Sequence, residues 1–133
     1  MPADVGEIGL PVGARALVVE DDEQVALMLC YLLEDQGLHC TEVATAEEGW
    51  GIVEEGAPDV AIVDLRLPGR DGWWLVERIR GTAATRNLPI VVITGFLDHD
   101  VELRAQRDGC ECLGKPFDFA ELAARIRIAA AGR

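Results

Sequence analysis

The sequence predicts a doubly wound α/β domain: a five-stranded parallel sheet in the order 2-1-3-4-5, covered by helices on both faces. Three observations carry this expectation. Short runs of consecutive apolar residues, among them Ala16-Leu17-Val18-Val19, Val60-Ala61-Ile62-Val63 and Ile90-Val91-Val92-Ile93, suit strands buried on both faces. Segments with apolar residues at helical spacing lie between them. The two kinds alternate five times, as parallel strands joined by right-handed crossovers do.

Taken in order, the first apolar run stops abruptly at Glu20-Asp21-Asp22. Asp22 stands where a helix cap is wanted. Val25, Met28, Leu29 and Leu32 then follow on one helical face, which Gly37 closes. His39–Val43 reads as a weak strand. Thr45 and Glu48 form a capping box for a helix carrying Trp50 and Val53. Pro58 opens the second buried strand, which ends in Asp64, and Leu67-Pro68-Gly69-Arg70-Asp71-Gly72 is turn chemistry. A third helix turns Leu75, Val76 and Ile79 inward. Pro89 opens the next strand, which ends in Thr94-Gly95. A polar helix over roughly 98–108 leads to the run Cys110–Leu113 and then to Gly114-Lys115-Pro116. Asp118 and Glu121 cap a last helix with Phe119, Leu122, Ala123 and Ile126 on one face. Of the doubly wound orders, the flavodoxin-like arrangement fits five strands with the first near the centre.

Composition limits what the domain does. The 133 residues suit one hydrophobic core, and 50% of them are hydrophobic. The net charge of −12 repels nucleic acid and anionic membrane surfaces, so neither is expected as a partner. Asp4 and Glu7 stand where a leader peptide would be positive, and no apolar run is long enough to cross a bilayer. A cytoplasmic location is expected. Cys30, Cys40, Cys110 and Cys112 form no disulfide framework pattern and read as reduced, semi-buried thiols. The Cys110-x-Cys112 pair lacks further metal ligands at regular spacing, since only His39 and His99 are available. Residues 1–14, rich in Gly and Pro, read as a flexible arm, 15–130 as the domain and 131–133 as a tail.

Four strands end in a reactive or polar group: Asp21, Asp64, Thr94 and Lys115. In a parallel sheet these ends share one edge, where ligands of such folds bind. Any one of them alone is weak, because an Asp after a strand is often only a helix cap and a Lys-Pro often only a loop. Their convergence is harder to obtain by chance. Two carboxylates about 4 Å apart repel by roughly 4 kcal/mol at an effective dielectric near 20. Glu20, Asp21 and Asp64 together therefore call for a cation, a shared proton or open water. A hard divalent ion such as Mg²⁺ suits oxygen ligands and keeps sites for water and phosphate. A carboxylate so placed can attack phosphorus and form an acyl phosphate, with the Thr94 hydroxyl and the Lys115 ammonium donating to the transferred oxygens.

Val18-Val19-Glu20-Asp21-Asp22, the segment Val63-Asp64-Leu65-Arg66-Leu67-Pro68-Gly69-Arg70-Asp71-Gly72, Thr94-Gly95 and Lys115-Pro116-Phe117 resemble the signature of bacterial two-component response-regulator receiver domains over about residues 14–130. The resemblance implies Asp64 as the phosphoacceptor and Asp21 as a metal ligand, with Glu20 acting directly or through water. It implies the backbone carbonyl of Arg66 as a further ligand, Thr94 as the switch hydroxyl, Lys115 as the phosphate-binding lysine and a cis Lys115-Pro116 bond. The metal would be Mg²⁺, with Mn²⁺ as an alternative. The phosphodonor would be a histidine kinase or histidine phosphotransfer protein, and the target an unidentified protein; a phosphorylation-dependent dimer stays open. Such a domain catalyses its own phosphotransfer and slow autodephosphorylation without being a turnover enzyme, and no DNA-binding output is expected. The departure is Cys112, where the family usually carries Tyr or Phe.

Three rivals are weaker. A haloacid-dehalogenase-like phosphatase would need a second Asp where Arg66 stands. A flavodoxin-like cofactor binder would need small and hydroxyl residues where Glu20-Asp21-Asp22 stands. A phosphorylation-independent pseudo-receiver would normally lack one of the site residues. Trp73 reads as core-facing, and Trp74 as lying on the polar side of its helix, where an aromatic can meet a partner.

Overall fold

A computed structural model describes residues 7–132, and within them five strands alternate with five helices. The elements are β1 (Arg15–Val19), α1 (Glu23–Asp35), β2 (His39–Val43), α2 (Ala46–Glu55), β3 (Val60–Asp64), α3 (Gly72–Gly81), β4 (Ile90–Thr94), α4 (His99–Arg107), β5 (Glu111–Gly114) and α5 (Phe119–Ala131). The strands form one sheet in the order β2-β1-β3-β4-β5, and every pairing is parallel. This is the expected flavodoxin-like α/β arrangement.

The unbroken apolar runs are explained by burial on both faces. Alternate residues of β1, β3 and β4 serve two separate cores. Val18, Ile62, Val91 and Ile93 meet Leu29 and Leu33 of α1 and Leu122 and Ile126 of α5. Leu17, Val19, Ala61, Val63, Ile90 and Val92 meet Val53 of α2 and Leu75 and Ile79 of α3. Each side chain of this size contributes about 1.5–3 kcal/mol when fully buried. Only β2, at the sheet edge, is largely exposed.

Four details depart from the sequence expectations. First, α1 is rotated by one position: Ala26, Leu29, Cys30 and Leu33 are buried, while Met28 is 44% exposed. Small Ala26 and Cys30 let the helix approach the sheet closely, and this displaces the larger Met28 outward. Second, the segment expected to be a flexible arm is packed from Glu7 onward. Ile8 and Leu10 are buried in the α1–α5 core, and the Glu7 carbonyl accepts a hydrogen bond from Arg127 of α5. Residues 1–6, the rest of that arm, lie outside the described residues. Third, α5 includes Ala131, which was assigned to the tail; Arg133 is outside the described residues. Fourth, the Glu48 carboxylate of the α2 cap accepts from the Ala44 N–H and the Thr45 hydroxyl rather than from the Thr45 N–H. The Asp118–Glu121 box is reciprocal, as expected.

The cysteines bring a further correction. Cys30 of α1 and Cys40 of β2 are not reduced thiols but are joined by a disulfide, with their Cα atoms 5.5 Å apart. A helix that packs on the strand following it brings these two positions face to face, a relation that linear cysteine spacing does not display. Cys110 and Cys112 are free and pack on the α2–α3 side of the sheet, so they do share a face. Burial pushes the Cys110 thiol up to about 11, with the Arg80 guanidinium opposing it.

Thiol titration of the unreduced, denatured protein should therefore find two reactive groups, and four after reduction. The bridge closes a short loop, so reduction should lower stability by at most about 3 kcal/mol in denaturant unfolding. Four thiols before reduction would contradict the bridge.

Candidate functional site

Parallel pairing places the ends of β1, β3, β4 and β5 on one edge. Val19 is in register with Val63, Asp64 with Ile93, and Thr94 with Gly114. Asp21, Asp64, Thr94 and Lys115 therefore follow from four strands at neighbouring positions. Strand β3 is buried along its whole length, so Asp64 ends it as a buried carboxylate, 4% exposed.

Glu20 is also buried, whereas Asp21 is exposed. Ligand oxygens of Glu20, Asp21 and Asp64 all lie within 4.8 Å of one another. Lys115 compensates part of this charge: its Nζ donates to Glu20 Oε1 at 2.7 Å and to Asp64 Oδ2 at 2.9 Å. Two backbone groups fix the carboxylates further. The Asp22 N–H donates to Glu20 Oε2, and the Arg66 N–H donates to Asp64 Oδ1 at 3.0 Å. Asp22 itself caps α1 by accepting from the Gln24 and Val25 N–H groups, an interaction of about 1 kcal/mol. Its side chain thus serves the helix, while those of Glu20 and Asp21 face Asp64.

Burial drives the Glu20 carboxyl up to about 7, and the neighbouring Asp64 carboxylate adds to the rise. Lys115 and the Asp22 N–H pull the other way. Burial also works against the Lys115 ammonium, but its bonds to Glu20 and Asp64 outweigh that and hold its pKa above the ordinary lysine value. A cation among the three carboxylates would replace the proton that Glu20 otherwise tends to hold. Three hard oxygen donors so close together fit a hard divalent ion.

Thr94 is buried, and its Oγ1 accepts from the Phe96 N–H at 3.1 Å. Its carbonyl accepts from the Lys115 N–H, which ties β4 to the loop that carries the lysine. The Lys115-Pro116 bond is cis. Phe96 is 71% exposed and lies under the Arg66 guanidinium, 5.2 Å from the ring centroid. Cys112 is half-buried.

Sequence reasoning missed what Gly72 does. It was read as turn chemistry, but a Cβ there would sit 2.3 Å from the Asp64 carbonyl oxygen and 2.9 Å from the Leu65 Cα. The start of α3 presses directly on the backbone of the buried aspartate, and the Gly72 N–H donates to the Leu65 carbonyl. The only signal in the sequence was a glycine eight residues after an acid that ends a strand, which alone does not separate close approach from a turn.

A family profile described as response regulator receiver domain matches residues 16–127. The phosphate regulon transcriptional regulatory protein PhoB of Klebsiella pneumoniae is 32% identical over 114 residues, covering 85% of this chain and 50% of that protein. The DNA-binding transcriptional regulator NtrC of Salmonella typhimurium is 33% identical over 113 residues, 84% of this chain but 24% of NtrC. The chain thus spans half or less of the length of these curated relatives. Among solved structures, a signal receiver domain of a DNA-binding response regulator from Colwellia psychrerythraea has a TM-score of 0.80 at 30% identity, covering 89% of this chain and 98% of that one. The non-phosphorylated HemR receiver domain from Leptospira biflexa has a TM-score of 0.79 at 29% identity, covering 89% and 94%.

Gly72→Ala should destabilise the domain by about 1–3 kcal/mol, the usual cost of forcing a methyl group into packed backbone. Denaturant unfolding checks this, and an unchanged midpoint would show that α3 can shift away freely.

Proposed function

The chain belongs to the response regulator receiver domain family, the phosphoacceptor module of two-component signalling, and on that premise we propose that it takes a phosphoryl group onto Asp64. The observation that supports this most is the placement of the buried Asp64 carboxylate against Glu20 and Asp21, with Lys115 2.9 Å from its Oδ2. Glu20, Asp21, Asp64 and the carbonyl of Arg66 would hold Mg²⁺, with Mn²⁺ as a substitute. When bound, the ion supplies positive charge against the carboxylates and the incoming phosphoryl oxygens.

An Asp64 carboxylate oxygen attacks phosphorus, the bond to the donor nitrogen breaks, and an acyl phosphate forms. The Arg66 N–H holds the other carboxylate oxygen and so orients the attack. Lys115 already donates to Asp64, and its ammonium is placed to follow the charge onto a phosphoryl oxygen. The Thr94 hydroxyl offers a second donor once it turns from the Phe96 N–H. The donor is a histidine kinase or histidine phosphotransfer protein, and the output is an altered protein–protein contact. The domain acts stoichiometrically rather than as a turnover enzyme. Among the described residues no helix is long and apolar enough to cross a membrane. A cytoplasmic location remains part of this reading, and the Cys30–Cys40 disulfide is the feature that stands against it, because such bonds are rare in reducing compartments.

Incubation with a small-molecule phosphodonor and Mg²⁺ should add one phosphoryl group, labile to hydroxylamine, as read by intact mass. Asp64→Asn and chelation should each abolish it, and Asp21→Ala should raise the Mg²⁺ concentration required. Full modification of the Asn variant would remove Asp64 from its assigned role.

Signal transmission should run through Phe96 rather than Cys112. Drawing Thr94 toward the phosphoryl group releases the Phe96 N–H and moves the loop, whereas a thiol gains little apolar burial by following inward. Phe96→Ala should reduce the beryllofluoride-dependent gain in partner affinity, and Cys112→Ala should leave it nearly unchanged. Partner titrations showing the reverse would refute this route.

A further inference from the structure

The outward side of α3 carries an arrangement that phosphoryl transfer does not use. Trp74 holds two guanidinium groups: Arg70 is 5.4 Å and Arg78 4.7 Å from ring centroids of its indole. Beside it Arg104 of α4 stacks 4.5 Å from Trp73. Two open grooves, of about 390 and 360 Å³, meet here and share Trp74 and Glu77.

Two of the nearby carboxylates are already engaged, and a third, Glu47, lies against Gly69 without reaching either arginine. Glu77 binds Arg104 at 2.6 Å, and Asp71 Oδ1 accepts the Trp74 N–H as the α3 cap. Among the described residues, neither Arg70 nor Arg78 has a carboxylate within salt-bridge distance or a hydrogen-bond acceptor. In a chain with 24 acidic and 12 basic residues, two arginines held on one indole without a carboxylate partner stand out. The stacking limits their freedom in advance, which lowers the entropy lost when they bind, and Trp and Arg are the side chains on which interface energy concentrates.

We infer that this face, centred on Arg70, Trp74 and Arg78, docks an acidic helical segment of a partner protein. Both guanidinium groups lie on one indole, so they stand no more than about 12 Å apart, within reach of two carboxylates one helical turn apart on a partner. An apolar residue between those carboxylates would rest on Trp74. The overall negative charge does not prevent such contact, because at physiological salt fields are screened over about 8 Å and the two free guanidinium groups would meet the partner directly. This inference is independent of the phosphoacceptor role.

The test uses fluorescently labelled helix-forming peptides with Glu at positions i and i+4 around one Leu, and matched peptides with Gln in place of Glu. Both are titrated against the full chain by anisotropy. The Glu peptide should bind about tenfold more tightly than the Gln peptide. The Arg70→Glu/Arg78→Glu double variant and Trp74→Ala should each lose about tenfold in affinity, while Arg86→Glu, a surface reversal elsewhere, should not. Circular dichroism and phosphoryl uptake of the double variant should match wild type. The inference is overturned by equal affinity for the two peptides, by no binding at millimolar concentration, or by binding that survives the double reversal. Loss of phosphoryl uptake in the double variant would place these arginines in the phosphoryl site and would also overturn it. So would concentration-dependent self-association that the double variant abolishes, since the occupant would then be a second copy of the chain.

Discussion

Glu20 and Asp64 are two buried carboxylates that repel each other where they stand, and Lys115 is the group that holds them there. Much of the domain can be understood as the means of imposing this arrangement. Desolvation alone would drive protons onto such acids, and the rise at Glu20 shows that pressure. The site resists it with one ammonium, two backbone N–H groups and an opening to water at Asp21. They come from the ends of three strands, β1, β3 and β5, so the sheet must be in register for these partners to meet the carboxylates. A buried carboxylate left without these partners would destabilise the edge of the sheet, which couples the integrity of the fold to the chemistry of the site.

The fold was largely legible because its signals are local and repeated. Unbroken apolar strands can only be satisfied on two faces, and caps such as Asp22, Thr45 and Asp118 mark where helices begin. The site was legible for a related reason: a parallel sheet sends all its strand ends to one edge, so four separated residues could be brought together without coordinates. What escaped was information carried by close approach. The helical face of α1 was misjudged because small Ala26 and Cys30 pack inward where larger Met28 seemed the better candidate. Gly72 passed as a turn residue although its role is set by the backbone of Asp64. Ile8 and Leu10 were lost among glycines and prolines, since two anchoring side chains make no period.

Arg66 links the site to its surroundings in a way that its backbone role does not suggest. Its N–H orients Asp64, while its side chain covers the exposed ring of Phe96, and the Phe96 N–H in turn occupies the Thr94 hydroxyl. The loops after β3 and β4 therefore meet over the mouth of the site, and a change at either is felt by the other. Cys112, half-buried on β5, brings far less apolar area to the interior than an aromatic ring would.

The bridge between Cys30 and Cys40 has a consequence for the border of the sheet. β2 is a terminal strand with one row of backbone groups unpaired and little apolar burial to retain it, the kind of element that frays first and recruits foreign strands. Tied to α1, it cannot peel away without carrying a helix whose Leu29 and Leu33 lie fully buried. Opening of that margin becomes a cooperative event involving the core, and the domain is protected against strand exchange between neighbours at the side where it is otherwise least guarded.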